Sequence, residues 1–106
     1  LIEVYLSHNS FEGSISLTSL PKGLRRLDVT ENALIGSLDL TCLPPSIKSL
    51  FFGSNDFDGE TDFSQLPPSL VVLNVAKNPK LTGKVQNRPD GTRFSISESG
   101  VEIVDV

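Results

Sequence analysis

The chain has 106 residues, 38% of them hydrophobic and 21% charged, which excludes a disordered polar chain and suits one small domain. A net charge of -4 argues against nucleic acid, which draws basic patches, and against electrostatic docking on anionic membranes. No apolar run approaches the roughly 18 residues of a membrane helix, and Cys42, the single cysteine, excludes an intrachain disulfide or a zinc site of several thiolates.

The first element is a strand that begins at once, in Leu1-Ile2-Glu3-Val4, with no initiator Met and no charged, then apolar, leader pattern. This reads as a fragment lacking an N-terminal cap. The unit that this strand opens then recurs three times. Asn stands at 9, 32, 55 and 78, and Leu-Pro at 20-21, 43-44 and 66-67, both in steps of 23. The apolar columns keep that phase: Leu1, Leu24, Ile47, Leu70; Val4, Leu27, Leu50, Leu73; Leu6, Val29, Phe52, Val75; and Phe11, Leu34, Phe57, Leu81, the last displaced by an inserted residue near Pro79. So many columns in register identify an internal repeat, whose units bury their apolar faces only by stacking.

Within each unit the second and third columns lie two residues apart, on one face of a short strand. Asn then leads through a turn to Gly13, Gly36, Gly59 or Gly83. A second extended segment is expected at Ile15-Ser16-Leu17, Leu38-Asp39-Leu40 and Thr61-Asp62-Phe63. Leu-Pro closes the unit, because proline stops a helix or a central strand there. No stretch has the 3.6-residue pattern of a helical arm.

Residues 88–106 break the period. Arg88-Pro89-Asp90-Gly91 is a turn signal, Thr92 to Ser97 alternates, Glu98-Ser99-Gly100 turns again, and Val101 to Val106 alternates. The division expected is therefore four 23-residue repeats over 1–87, then C-terminal capping strands over 88–106, at least one of them covering the last coil.

Leu24-Arg-Arg-Leu27-Asp-Val29-Thr-Glu-Asn32-Ala-Leu34 resembles the leucine-rich repeat signature L-x-x-L-x-L-x-x-N-x-L, and the likeness recurs from Leu1, Ile47 and Leu70. The longer stretch from Asn32 through Gly36-Ser-Leu-Asp-Leu-Thr to Leu43-Pro-Pro-Ser-Ile47 is similar to the 23-residue repeats of protist, particularly kinetoplastid, leucine-rich-repeat proteins. The resemblance implies a mostly β solenoid with a parallel sheet on its concave side, an irregular convex side and little or no α-helix. It also implies protein recognition through the concave sheet, without catalysis. Thr61, in an apolar column, and Phe52 and Phe57, in place of smaller aliphatics, depart from the pattern.

On the strands, residues between the core columns face outward. They form the columns Glu3, Arg26, Ser49, Val72; Tyr5, Asp28, Phe51, Asn74; and Ser7, Thr30, Gly53, Ala76, flanked by His8, Glu31, Ser54 and Lys77. Tyr5, Arg26, Asp28 and Phe51, with Glu3 and Asn74, are the candidate partner-binding residues, since exposed aromatics and Arg make good anchors. The bland reading is sheet packing, which also favours aromatics. Asn9, Asn32, Asn55 and Asn78 are expected to act structurally, turning inward to satisfy backbone groups. Asp56, Asp58, Glu60 and Asp62 have the oxygen density calcium prefers, but a solvated face with a weak pairing of Glu60 to Lys84 explains them more simply. His8 and Cys42 fall in different parts of the unit, so no Cys–His pair is expected, and no phosphate-binding loop opens a helix. The expected function is binding of another protein, with no cofactor, no resident metal, no nucleic acid and no membrane insertion in this segment. The alternatives are self-assembly through the uncapped edge and, less favoured, a recognition arm of a larger enzyme.

Overall fold

A computed structural model describes residues 2–88 and 91–104. Leu1, the Pro89-Asp90 part of the expected turn and the Asp105-Val106 end of the expected last strand lie outside the described residues. The chain is a β-solenoid. Its first sheet is built of β1 (Ile2–Tyr5), β3 (Leu24–Asp28), β5 (Ser49–Phe51), β7 (Val72–Asn74) and β9 (Arg93–Ser95). Its second sheet is built of β2 (Glu12–Gly13), β4 (Ala33–Gly36), β6 (Asp56–Glu60), β8 (Lys80–Gln86) and β10 (Gly100–Val104). Every pairing within each sheet is parallel, and the described residues contain no helix.

In-register stacking results from the 23-residue step. Leu27 pairs with Val4 and Leu50, and Leu50 with Leu73, so like sits on like through the core. Leu24, Val29, Ile47, Leu50, Leu70, Leu73 and Val75 are all at most 2% exposed. Truncating one of these leucines to Ala costs about 2–5 kcal/mol. Phe52 and Phe57, the two large substitutions in the third coil, meet edge to face with centroids 6.0 Å apart at 84°, the arrangement that aromatic quadrupoles favour.

The second sheet corrects the expected second segment. Ile15–Leu17, Leu38–Leu40 and Thr61–Phe63 are not strands; in these three coils the ladder lies earlier, between the Asn and the residue after the Gly. The reason is the Asn itself. Its amide carries the chain directly from one sheet to the next, so little separate turn is needed. Leu38, Leu40 and Phe63 still point inward and are buried. Gly83 is fixed by crowding: its φ is +147°, and a Cβ there would lie 2.7 Å from both the Phe63 ring and the Thr61 carbonyl oxygen.

The chain beyond Gln86 goes on coiling. β9 pairs with β7 and β10 with β8, adding a shortened fifth turn to both sheets. Phe94, Ile96, Ser99 and Val101 repeat the spacing of Leu27, Val29, Asn32 and Leu34. Ser99 takes the Asn position, its hydroxyl donating to the Ile96 carbonyl as each Asn amide does three residues back.

Candidate functional site

Two ladders hold the coils in register and so fix the outer face. In the first, Asn32 Nδ2 donates to the carbonyls of Leu6, Val29 and Thr30, while its Oδ1 accepts from the Phe11 N–H of the preceding coil. Asn55 repeats this with Val29, Phe52, Gly53 and the Leu34 N–H, and Asn78 with Phe52, Val75, Ala76 and the Phe57 N–H. Among the described residues the Asn9 amide makes two bonds, both within its own turn. The second ladder was not apparent from the sequence: the hydroxyls of Ser46, Ser69 and Thr92 donate to Leu24, Ile47 and Leu70 one coil back. Its signal was the hydroxyl two residues after the proline position.

The residue before each Asn has a left-handed backbone: φ is 57° at His8, Glu31 and Ser54, 59° at Lys77 and 55° at the equivalent Glu98. His8 and Glu31 thereby stand side by side, with Nδ1 to Oε2 at 2.5 Å. Both side chains are more than half exposed, so the pair contributes little to stability.

On the outer face of the first sheet, Arg26 sits directly opposite Glu3 and Ser49, with Tyr5 and Phe51 diagonal to it, opposite Asp28. Its guanidinium lies 5.2 Å from the Tyr5 ring centre and 4.5 Å from that of Phe51. One cation is therefore held between two aromatic rings contributed by the coils on either side. Tyr5 is 57% exposed, and its hydroxyl donates to Glu3 Oε1 at 2.9 Å. That bond holds the Tyr5 phenol above its ordinary pKa, with partial desolvation and the Glu3 charge adding to the rise and Arg26 opposing it. Arg26 Nε is buried without an acceptor, and Arg26 makes no hydrogen bond or ion pair with any described residue.

The remaining predicted residues divide. Glu3 joins the Tyr5–Arg26–Phe51 cluster. Asp28 and Asn74 belong to the same column but turn their Oδ1 atoms to the N–H of Thr30 and Ala76, tightening their own strand ends. Gly53 and Ala76 are buried, contrary to the expectation that the whole column faces solvent. A Cβ at Gly53 would lie 3.1 Å from Asn74 Oδ1, so the Asn74 side chain covers that position.

The acidic run sits on the second sheet. Asp58 stands opposite Lys80 and Glu60 opposite Thr82, whereas Lys84 faces Glu102 rather than the expected Glu60. Asp62 accepts from the hydroxyl and N–H of Ser64, as Asp39 does from Thr41; in each case the hydroxyl bond, then the N–H bond, lowers the carboxyl pKa. Among the described residues no acids, His or Cys converge on a metal-sized group. His8 comes just after β1, and Cys42 lies exposed between β4 and β5. A groove of about 610 Å³ opens beside Phe63, Leu66 and Val85. The exposed Asn87 follows the column in which Leu17, Leu40 and Phe63 are buried in earlier coils. The groove's charges, Glu60, Asp62 and Lys84 among them, are mixed in sign. No described helix is long and apolar enough to cross a membrane.

Compared with known proteins, residues 37–77 match a family model described as FNIP Repeat. No curated protein and no solved structure matches. The matched stretch spans part of the second coil, all of the third and part of the fourth, so over less than half its length the chain is similar to that family. With the coiled architecture it makes this chain a repeat protein of solenoid form.

Proposed function

We propose that this domain binds another protein through the outer face of its first sheet, and that it does so without catalysis. The observation that carries this reading is the half-buried Arg26 lying close to both the exposed Tyr5 ring and the half-buried Phe51 ring. Aromatic and Arg side chains dominate binding hot spots because they bury large area at low entropic cost. Here their geometry is fixed in advance by the Asn ladder beneath, so less is lost on association. We read the coils as leucine-rich-repeat units of the 23-residue protist type, with this sheet as the concave side; the shared Asn and Leu spacing and the FNIP Repeat likeness support a stacked repeat. The acidic balance speaks against nucleic acid as the partner. His8 and Cys42, separated in the fold, favour no nucleophilic chemistry.

The test is capture of partners from source-cell lysate and surface extract by the wild-type domain and by a variant with Tyr5, Asp28 and Phe51 changed to Ala. A protein held by the first and lost by the second, with circular dichroism unchanged, supports the reading. Equal capture by both moves the site elsewhere.

A second reading is self-association at the first coil. Ile2, Leu6 and Phe11 are 39%, 37% and 46% exposed, whereas Val29 and Leu34, the next-coil counterparts of Leu6 and Phe11, are buried. Sedimentation at rising concentration separates the two: a monomer throughout removes self-association.

A further inference from the structure

We propose that Arg26 is the receptor for a carboxylate: the partner presents an Asp or Glu, flanked by apolar side chains in an extended segment, to the edge of the guanidinium. This rests on the reading that the first sheet is the binding face, and it names the chemistry of what binds there. The Tyr5 and Phe51 rings, from the strands on either side, both lie close to the guanidinium carbon. With Nε buried, the donors left for a ligand are those of the terminal nitrogens, which lie in one plane and match the two oxygens of a carboxylate.

The neighbouring acids leave this cation unpaired. Glu3 Oε1 is engaged by the Tyr5 hydroxyl, and Asp28 Oδ1 by the Thr30 N–H. Neither approaches Arg26 as an ion pair, and the buried Nε lacks an acceptor. A cation held this way, in a chain of net charge -4, is an unusual local feature that an acid on a partner complements. The two rings provide apolar surface on either side, which calls for apolar neighbours beside that acid. Ser49, directly opposite Arg26 on β5, adds a hydroxyl within the same column.

Tyr5 is the only tyrosine and the chain has no Trp, so tyrosine fluorescence reports on this site alone. A displayed library of short random peptides, selected in parallel on wild type, Arg26→Gln and the Tyr5→Ala/Phe51→Ala variant, tests the proposal. All three are first checked for an unchanged circular dichroism spectrum. Wild type is expected to select peptides carrying Asp or Glu between apolar residues. A synthetic peptide of that consensus should change Tyr5 fluorescence and bind about tenfold more tightly than its Gln or Asn counterpart, the loss expected for one charge-assisted bidentate contact. Arg26→Gln should erase that preference, and Arg26→Lys should restore only part of it.

Selected peptides that alter Tyr5 fluorescence but lack an acid, or whose acid preference survives Arg26→Gln, overturn the carboxylate while leaving the face as a binding surface. Competition by inorganic phosphate with no acid enrichment also overturns it, in favour of a small-anion site. Failure of any selected peptide to touch Tyr5 overturns both the carboxylate and the binding face.

Discussion

The Arg26 guanidinium lies 4.5 Å from the centre of the Phe51 ring, one coil away, and among the described residues no carboxylate forms an ion pair with it. Contacts of this kind at exposed positions contribute about 0.5–1 kcal/mol. A double-mutant cycle of Arg26→Ala and Phe51→Leu, read by chemical denaturation, should give a coupling of that size. Leucine keeps most of the apolar area, so the coupling isolates the ring. A coupling indistinguishable from zero would mean that the stacked geometry is not held in solution.

Tyr5 should titrate above an ordinary tyrosine. Its hydroxyl donates to Glu3, which favours the protonated phenol, and the nearby Glu3 charge acts in the same sense. A folded-state pKa raised above the unfolded one contributes stability that is complete below the unfolded value and is lost as pH rises through the folded value. Ultraviolet absorbance of the single tyrosine reads the titration directly. Glu3→Ala should lower the midpoint, and Arg26→Ala, which removes an opposing cation, should raise it.

The Asn ladder makes a steep contrast between its members. Asn55 is buried and serves three carbonyls and the Leu34 N–H, so Asn55→Ala leaves several backbone groups unmatched. The expected cost is at least about 3 kcal/mol, at about 1–3 kcal/mol for each stranded buried group. Asn9 is exposed and bonds only within its own turn, so Asn9→Ala should cost less than about 1 kcal/mol. Urea midpoints of the two variants check both values.

Thr61 is 3% exposed, and its hydroxyl has no partner among the described residues. It occupies the column of Ile15, Leu38 and Val85. Thr61→Val keeps the shape and removes the stranded hydroxyl, so the thermal midpoint should rise, by an amount equivalent to about 1 kcal/mol. A fall would show that the hydroxyl finds a partner in solution.

The coil, its core columns and the Asn ladder were legible because each depends on residue type at a fixed spacing. Leu27, Leu50 and Leu73 announce a buried stack, and Asn recurring beside them announces a turn whose backbone must be satisfied. The fifth turn was hidden because Ser99 stands in for Asn and the loop before it is altered, although Phe94, Ile96 and Val101 keep the interval. The left-handed backbone at His8, Glu31, Ser54 and Lys77 left no trace, since none of these residues is chosen for that geometry; the fold imposes it. The Tyr5–Arg26–Phe51 cluster was legible as a set of outward residues. That Arg26 reaches diagonally to rings on both neighbouring coils, while Asp28 and Asn74 bend back to their own backbone, required side-chain geometry.

The measurement that bears most directly on the binding face is amide hydrogen exchange of the domain, free and with the partner recovered by capture. Binding at the first sheet predicts slowed exchange in β1, β3 and β5 and the residues just after them, with the second sheet unchanged. Slowing confined to the second sheet, to the groove near Phe63 or to the fifth turn would contradict it.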